Sequence, residues 1–170
     1  LYHWKIYVVG SVEYQYPNHL FQAGYFLDKK YYDENTIDFK HLLLSEKNQS
    51  LLKDIQNSNS VGVHIRRGDY MTKQNLVIFG NICTQKYYHD AIRIITEKVN
   101  DAVFYVFSDD ISWVQTHLDI PNAVYVNWNT GESSIYDMYL MSSCKYNIIA
   151  NSTFSYWAAR LNKKTNMVIY

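Results

Sequence analysis

The sequence predicts an α/β fold, a parallel, Rossmann-like sheet with flanking helices, and three observations carry that expectation. Short apolar runs recur at Val61–Ile65, Val103–Phe107, Val124–Val126, Tyr146–Ala150 and Met167–Tyr170. Segments of helical period lie between them. Several runs also end directly in charged or polar residues, as strands do where they deliver side chains to a sheet edge. Strands that alternate with helices imply crossover connections and hence parallel neighbours.

Taken in order, residues 1–9 read as a strand entered midway. Residues 1–35 are otherwise aromatic and polar, with Tyr14, Tyr16, Tyr25, Phe26, Tyr31 and Tyr32 among few periodic apolar positions. Tyrosine offers a flat stacking face with a polar tip, which suits sugars, although with 17 in the chain ordinary packing explains any single one. Apolar spacing at Leu42, Leu44, Leu51, Leu52 and Ile55 places a helix near 45–56, and Asn57–Ser60 reads as a loop before the strand Val61–Ile65. Residues 71–82 have no clear period and read as a loop over the strand end. Thr84 is placed to cap a helix running to Val99, with Tyr88, Ala91, Ile92, Ile95 and Val99 on one face. After the strand Val103–Phe107, Asp109 or Asp110 caps a short helix over 111–118. The strand Val124–Val126 leads to a helix from Ile135 to Cys144, and the strand Tyr146–Ala150 to a helix over Ser152–Leu161. Met167–Tyr170 closes the series.

With 48% apolar and 19% charged residues over 170 positions, the chain is globular and long enough for one full-sized core. The formal charge is zero, so no electrostatic footprint for nucleic acid or an anionic membrane surface is present. No run approaches a membrane span and no signal-peptide pattern opens the sequence. Cys83 and Cys144 lack metal-ligand spacing and read as reduced thiols, Cys144 in the core.

The chemistry concentrates at His64-Ile-Arg-Arg-Gly-Asp-Tyr70. Two arginines beyond the carboxyl end of a strand are poorly explained by burial, since an unpaired buried guanidinium is costly. The guanidinium fork suits phosphate or carboxylate. If strand geometry persists, Arg66 and Arg67 leave on opposite faces, one to grip an anion and the other to hold the loop. Gly68 permits a close approach, and Asp69 orients an arginine or acts as a carboxylate itself. The alternative is an Arg–Asp pair that merely closes the loop, and an adhesion-type Arg-Gly-Asp reading is disfavoured directly after a buried strand. Asn151-Ser152-Thr153 opens a helix after another strand and forms either a phosphate cradle or plain capping. As a glycosylation sequon it is badly placed. Asp109 either faces the cleft or shares in capping, and Asp109-Asp110 lacks the spacing of a metal site, so no metal is assigned. Ser134 and Asp137 have capping-box spacing with aspartate in place of glutamate. His64 lies on the side of Gly62 and Arg66, as a ligand contact or a core histidine, and the remaining histidines are too scattered for a metal site.

The same stretches carry a resemblance. Residues 64–70 resemble the first motif of the α-1,2-fucosyltransferases, relatives of the α-1,6- and protein O-fucosyltransferases. Phe107-Ser-Asp-Asp-Ile-Ser-Trp113 resembles the second motif, and Asp137 to Trp157 the third, in the same order and approximate spacing. The resemblance implies the nucleotide-binding lobe of a GT-B-type glycosyltransferase over residues 57–170. Residues 1–56 would be the end of the first, acceptor-side lobe and the connection, with Gln22–Tyr32 similar to an inter-lobe segment. The Gly-rich opening segment of the family is missing, so the sequence reads as a fragment.

The implied reaction is transfer of L-fucose from GDP-β-L-fucose to the 2-hydroxyl of a galactose-terminated glycan, with inversion and without a metal. Donor contacts then fall on His64, Arg66, Arg67, Asp109, Asp137, Asn151, Ser152 and Thr153. Arg66, Arg67 and Asp69 carry catalysis, and Asp137 accepts from guanine. A cytoplasmic location follows, peripheral to the membrane, or the Golgi lumen for a eukaryotic source. The competing expectations are a non-catalytic nucleotide-binding or interaction module and a fucosyltransferase of different linkage.

Overall fold

The computed structural model describes residues 38–170, together with the backbone of Val8–Val9 and Ala23–Gly24. It comprises two units, Leu1–Asp38 and Phe39–Tyr170. In the first, β1 (Val8–Val9) pairs in parallel with β2 (Ala23–Gly24). The other expectations for residues 1–35, including the tyrosine positions, lie outside the described residues.

The second unit is a five-stranded, all-parallel sheet in the order β5-β4-β3-β6-β7. Its strands are β3 (Asn59–Ile65), β4 (Ala102–Ser108), β5 (Ala123–Val126), β6 (Tyr146–Ile148) and β7 (Met167–Ile169). The helices are α1 (Glu46–Asn57), α2 (Lys73–Phe79), α3 (Gln85–Lys98), α4 (Ile111–His117), α5 (Ser134–Ser142) and α6 (Thr153–Arg160).

Period-two alternation in the central strands builds a core on each face of the sheet. Val61, Val63 and Ile65 of β3 join Phe104 and Val106 of β4 and the α3 residues Tyr88, Ala91, Ile92 and Ile95. On the opposite face Tyr105 and Phe107 meet Leu51 and Ile55 of α1, Leu140 and Met141 of α5, and Ala158 of α6. Each fully buried side chain of this kind contributes about 1.5–3 kcal/mol. Gly62 faces this second core, where an added Cβ would lie 2.9 Å from Asn147 Nδ2 and 3.0 Å from Met141 Cγ. The absent side chain is what lets α5 approach β3.

Four local expectations change. β3 begins at Asn59, inside the expected loop, because Asn59 and Ser60 register against Ala102 and Val103 of β4. Residues 71–82 are not a bare loop. A turn of 3-10 helix (Gly68–Met71) leads into α2, whose N-cap Thr72 accepts from the Asn75 N–H at 3.3 Å. No apolar period announced α2, because it buries no residue. The Ser134–Asp137 capping box does not form: a 3-10 turn over Gly131–Ser133 runs straight into α5, so Ser134 already lies inside the helix. Finally, the division expected at 56/57 separates α1 from the sheet, whereas Leu51 and Ile55 of α1 are part of the sheet's core and the compact unit starts at Phe39.

Elsewhere local chemistry set the ends as expected. Thr84 accepts from the Tyr87 N–H at the start of α3, Asp110 from the Trp113 N–H at the start of α4, and Ser152 from the Phe154 N–H at the start of α6. Both cysteines are free, Cys144 buried. Among the described residues no helix is long and apolar enough to cross a membrane.

Candidate functional site

Strand order locates the site. The chain proceeds outward from β3 to β4 and β5, then returns to place β6 on the other side of β3. Such a reversal leaves a crevice at the carboxyl ends of the two strands that flank it, the usual ligand position in open parallel sheets. The loops that follow β3 and β6 border this crevice, and they carry Arg66-Arg67-Gly68-Asp69 and Asn151-Ser152-Thr153.

The arginines leave the strand end in different directions, and each is met by carboxylate. Arg66 donates through Nη2 to Asp69 Oδ1 at 2.6 Å and through Nη1 to Asp109 Oδ2 at 2.7 Å. Arg67 donates through Nε to Asp110 Oδ2 at 3.2 Å, and its guanidinium carbon lies 3.6 Å from the centroid of the Trp113 ring. Asp109 is the hub of this cluster, because its Oδ1 also accepts the Arg67 backbone N–H at 2.9 Å. Gly68 is required beside it, since a Cβ there would collide with the Asp109 carboxylate. The two readings of the arginines therefore coexist: both close the loop through aspartates, and both keep guanidinium groups at the crevice, Arg66 with a third of its side chain exposed. Of the two capping candidates, Asp110 caps α4 through Oδ1 while its Oδ2 takes Arg67, and Asp109, which caps no helix among the described residues, bonds to both arginines.

The β6–α6 loop is tied to this cluster by Tyr70 and Phe79, to which the sequence assigned no role, and by Asn151, which it placed in the candidate phosphate cradle. Tyr70 donates its hydroxyl to the Asn151 carbonyl at 3.0 Å and stacks on Phe79 with centroids 4.8 Å apart. Asn151 Nδ2 donates to the Phe79 carbonyl at 3.2 Å. The arginine loop, the end of α2 and the start of α6 are thereby held together. Ser152 caps α6, and Ser155 inside the first turn accepts the Ala150 N–H at 3.2 Å and is buried. Thr153 opens the helix.

His64 lies behind the arginines at 6% exposure, its ring 5.0 Å from that of Phe154 at the start of α6. Burial, reinforced by the Arg66 guanidinium, holds its pKa down to about 3, so the ring is neutral. Its Nδ1 is buried without a hydrogen-bond partner among the described residues.

Asp137 belongs to a different set of contacts. Its Oδ1 accepts from Asn129 Nδ2 at 2.7 Å. Burial pushes its pKa up to about 7, against the lowering effect of that hydrogen bond. Asn129 in turn bonds to Asn48 of α1. Neither asparagine was visible as a site residue, for their separation is 81 positions and no local pattern links them.

The chain has clear relatives. The family described as Glycosyl transferase family 11 matches residues 8–170. An "Alpha-1,2-colitosyltransferase" of Escherichia coli is 36% identical over 161 residues, covering 89% of this chain and 52% of the relative. The "O-antigen biosynthesis glycosyltransferase WbnK" of Escherichia coli is 44% identical over 115 residues, 67% of this chain and 38% of the relative. A "Galactoside alpha-(1,2)-fucosyltransferase 2" of Pongo pygmaeus is 29% identical over 128 residues, 71% of this chain and 37% of the relative. The chain thus spans about half, or less, of the length of these curated relatives. With the family match running from the first described strand to the last residue, the chain belongs to glycosyl transferase family 11.

Proposed function

We propose that the full-length protein transfers L-fucose from GDP-β-L-fucose to the 2-hydroxyl of a galactosyl residue, with inversion to an α linkage. The sheet unit is read as the nucleotide-binding lobe of a GT-B-type enzyme. The observation that carries this reading is the pair of guanidinium groups at the strand-order reversal, beside the start of α6, in a chain of this family. Relatives named for α-1,2 transfer support the linkage.

In this reading the acceptor hydroxyl oxygen forms a bond to the anomeric carbon while the bond from that carbon to the diphosphate breaks, and the hydroxyl's proton is lost to solvent water. Negative charge then develops on the departing GDP. Arg66 and Arg67, with Asn151, Ser152 and Thr153 at the helix start, stabilise it, and groups already held by Asp69, Asp109 and Asp110 need little reorganisation. The guanidinium groups supply the countercharge, so the reading includes no divalent metal. Asp69 is bonded to Arg66, which suits orientation of that arginine better than acceptance of the acceptor's proton. His64 supports the donor side as a neutral ring, and Asp137 meets guanine.

A second reading, transfer of colitose, comes from the Escherichia coli relative named for it. Incubation of the full-length protein with GDP-fucose and a galactoside, with the product linkage read by NMR, tests the proposal. Turnover restricted to a colitose donor supports the second reading. GDP binding without turnover of any nucleotide sugar would leave a binding module.

A further inference from the structure

Asp137 is backed by a closed amide network. Asn48 is only 2% exposed, and its Oδ1 accepts from Trp128 Nε1–H at 2.7 Å and from Asn129 Nδ2 at 3.1 Å. Asn48 Nδ2 donates to Asn129 Oδ1 at 3.0 Å. Lys47 places its ammonium 3.8 Å from the centroid of the Trp128 ring. The Asn129 amide is therefore fully specified: Oδ1 accepts from Asn48, and Nδ2 donates both to Asn48 and to Asp137. Rotating that amide by half a turn would set its one oxygen against both the Asp137 carboxylate and Asn48 Oδ1, and its Nδ2 against Asn48 Nδ2. These clashes are electrostatic, so the network enforces one orientation. Among the described residues Asn129 is the one donor that meets the Asp137 carboxylate, and no cation pairs with it.

We propose that Asn129, oriented by the buried Asn48, is a positioning residue for base selection: it fixes the plane of the Asp137 carboxylate, in which the adjacent N1–H and N2–H₂ donors of guanine must lie. A carboxylate free to rotate meets one donor well. One held in plane meets two, and discrimination between purines depends on the second. The inference rests on the reading that Asp137 contacts the nucleotide, and it brings α1, through Asn48, into the donor site.

The test compares GDP with inosine diphosphate, which lacks the 2-amino group, by calorimetric titration of the full-length protein and of folded Asn129→Ala, Asn129→Ser and Asp137→Asn variants. The wild type should prefer GDP by about tenfold or more, the worth of one hydrogen bond to a charged acceptor. Both Asn129 variants should bring the two affinities to within roughly threefold of each other, chiefly by weakening GDP. In an Asp137→Asn background Asn129→Ala should cause no further loss. Variants of Asn129 that keep the preference, or weaken both nucleotides equally, would overturn the positioning role while leaving Asp137 in place. Unchanged GDP affinity in Asp137→Asn would instead overturn the nucleotide reading of Asp137, and this inference with it.

Discussion

Asp109→Asn is the most informative single change, because the aspartate serves two residues with its two oxygens. Oδ1 takes the Arg67 N–H at 2.9 Å and Oδ2 takes Arg66 Nη1 at 2.7 Å. Asparagine has the same shape, and Gly68 leaves the same room. One oxygen, however, becomes an NH₂ that must face a donor whichever way the amide turns. A hydrogen bond involving a charged group is worth about 1.5–3 kcal/mol. The two side chains are 33% and 27% exposed, so screening by solvent reduces the loss to roughly 1–2 kcal/mol. For a chain of this size that lowers the melting temperature by about 2–8 °C. The loosened arginines should weaken GDP by about tenfold, since 1.4 kcal/mol is one decade. Differential scanning fluorimetry and calorimetric titration on the same preparation measure both. GDP binding that stays the same or tightens would refute the reasoning, for it would show that Asp109 competes with the diphosphate for Arg66 instead of presenting it.

Three further outcomes are expected. Arg66→Lys and Arg67→Lys should each lower steady-state turnover by about a hundredfold or more although the charge is kept, because an ammonium cannot both pair with its aspartate and offer a second, parallel donor; wild-type rates in both would remove the arginines from the chemistry. Turnover should survive EDTA, and loss on chelation with recovery in Mn²⁺ would give Asp109 and Asp110 a ligand role. Stability should fall as pH drops below about 6.5 towards 3, because the unfolded chain binds a proton that buried His64 refuses, with a slope of up to about 1.4 kcal/mol per pH unit from this residue. Urea unfolding of wild type and His64→Gln at pH 7 and pH 5 isolates that slope, and identical pH dependence in the two would show that His64 titrates normally.

Much of the sheet unit was legible because its signals are local. Alternation along Val61–Ile65 and Val103–Phe107, and the capping hydroxyls of Thr84 and Ser152, depend on neighbours within a turn or a strand, and the structure places these elements within a residue or two of expectation. The charged strand ends were legible for the same reason. A buried apolar run that stops at Arg66-Arg67 announces a sheet edge with something anionic to meet.

What the sequence determined by itself was therefore the class of fold, the succession along the chain of the sheet unit's five strands and of every α-helix but α2, and which side chains stand at the sheet edge. Tertiary structure alone decided their partners. Pairing β6 beside β3 brings Tyr70 to Asn151 and sets the crevice at that junction. Packing α1 on the sheet carries Asn48 to Asn129, and so joins to the sheet's core a helix that the sequence had grouped with residues 1–56. α2 escaped notice because a helix that buries nothing has no apolar period to show. Likewise Asp109 and Asp110 look equivalent as letters. They part only in space, where Asp110 caps its own helix with one oxygen and takes Arg67 Nε with the other, while Asp109 gives both oxygens to the arginine loop 42 and 43 residues back. Contacts at that separation depend on how strands are ordered and helices packed, and no periodicity within a segment encodes them.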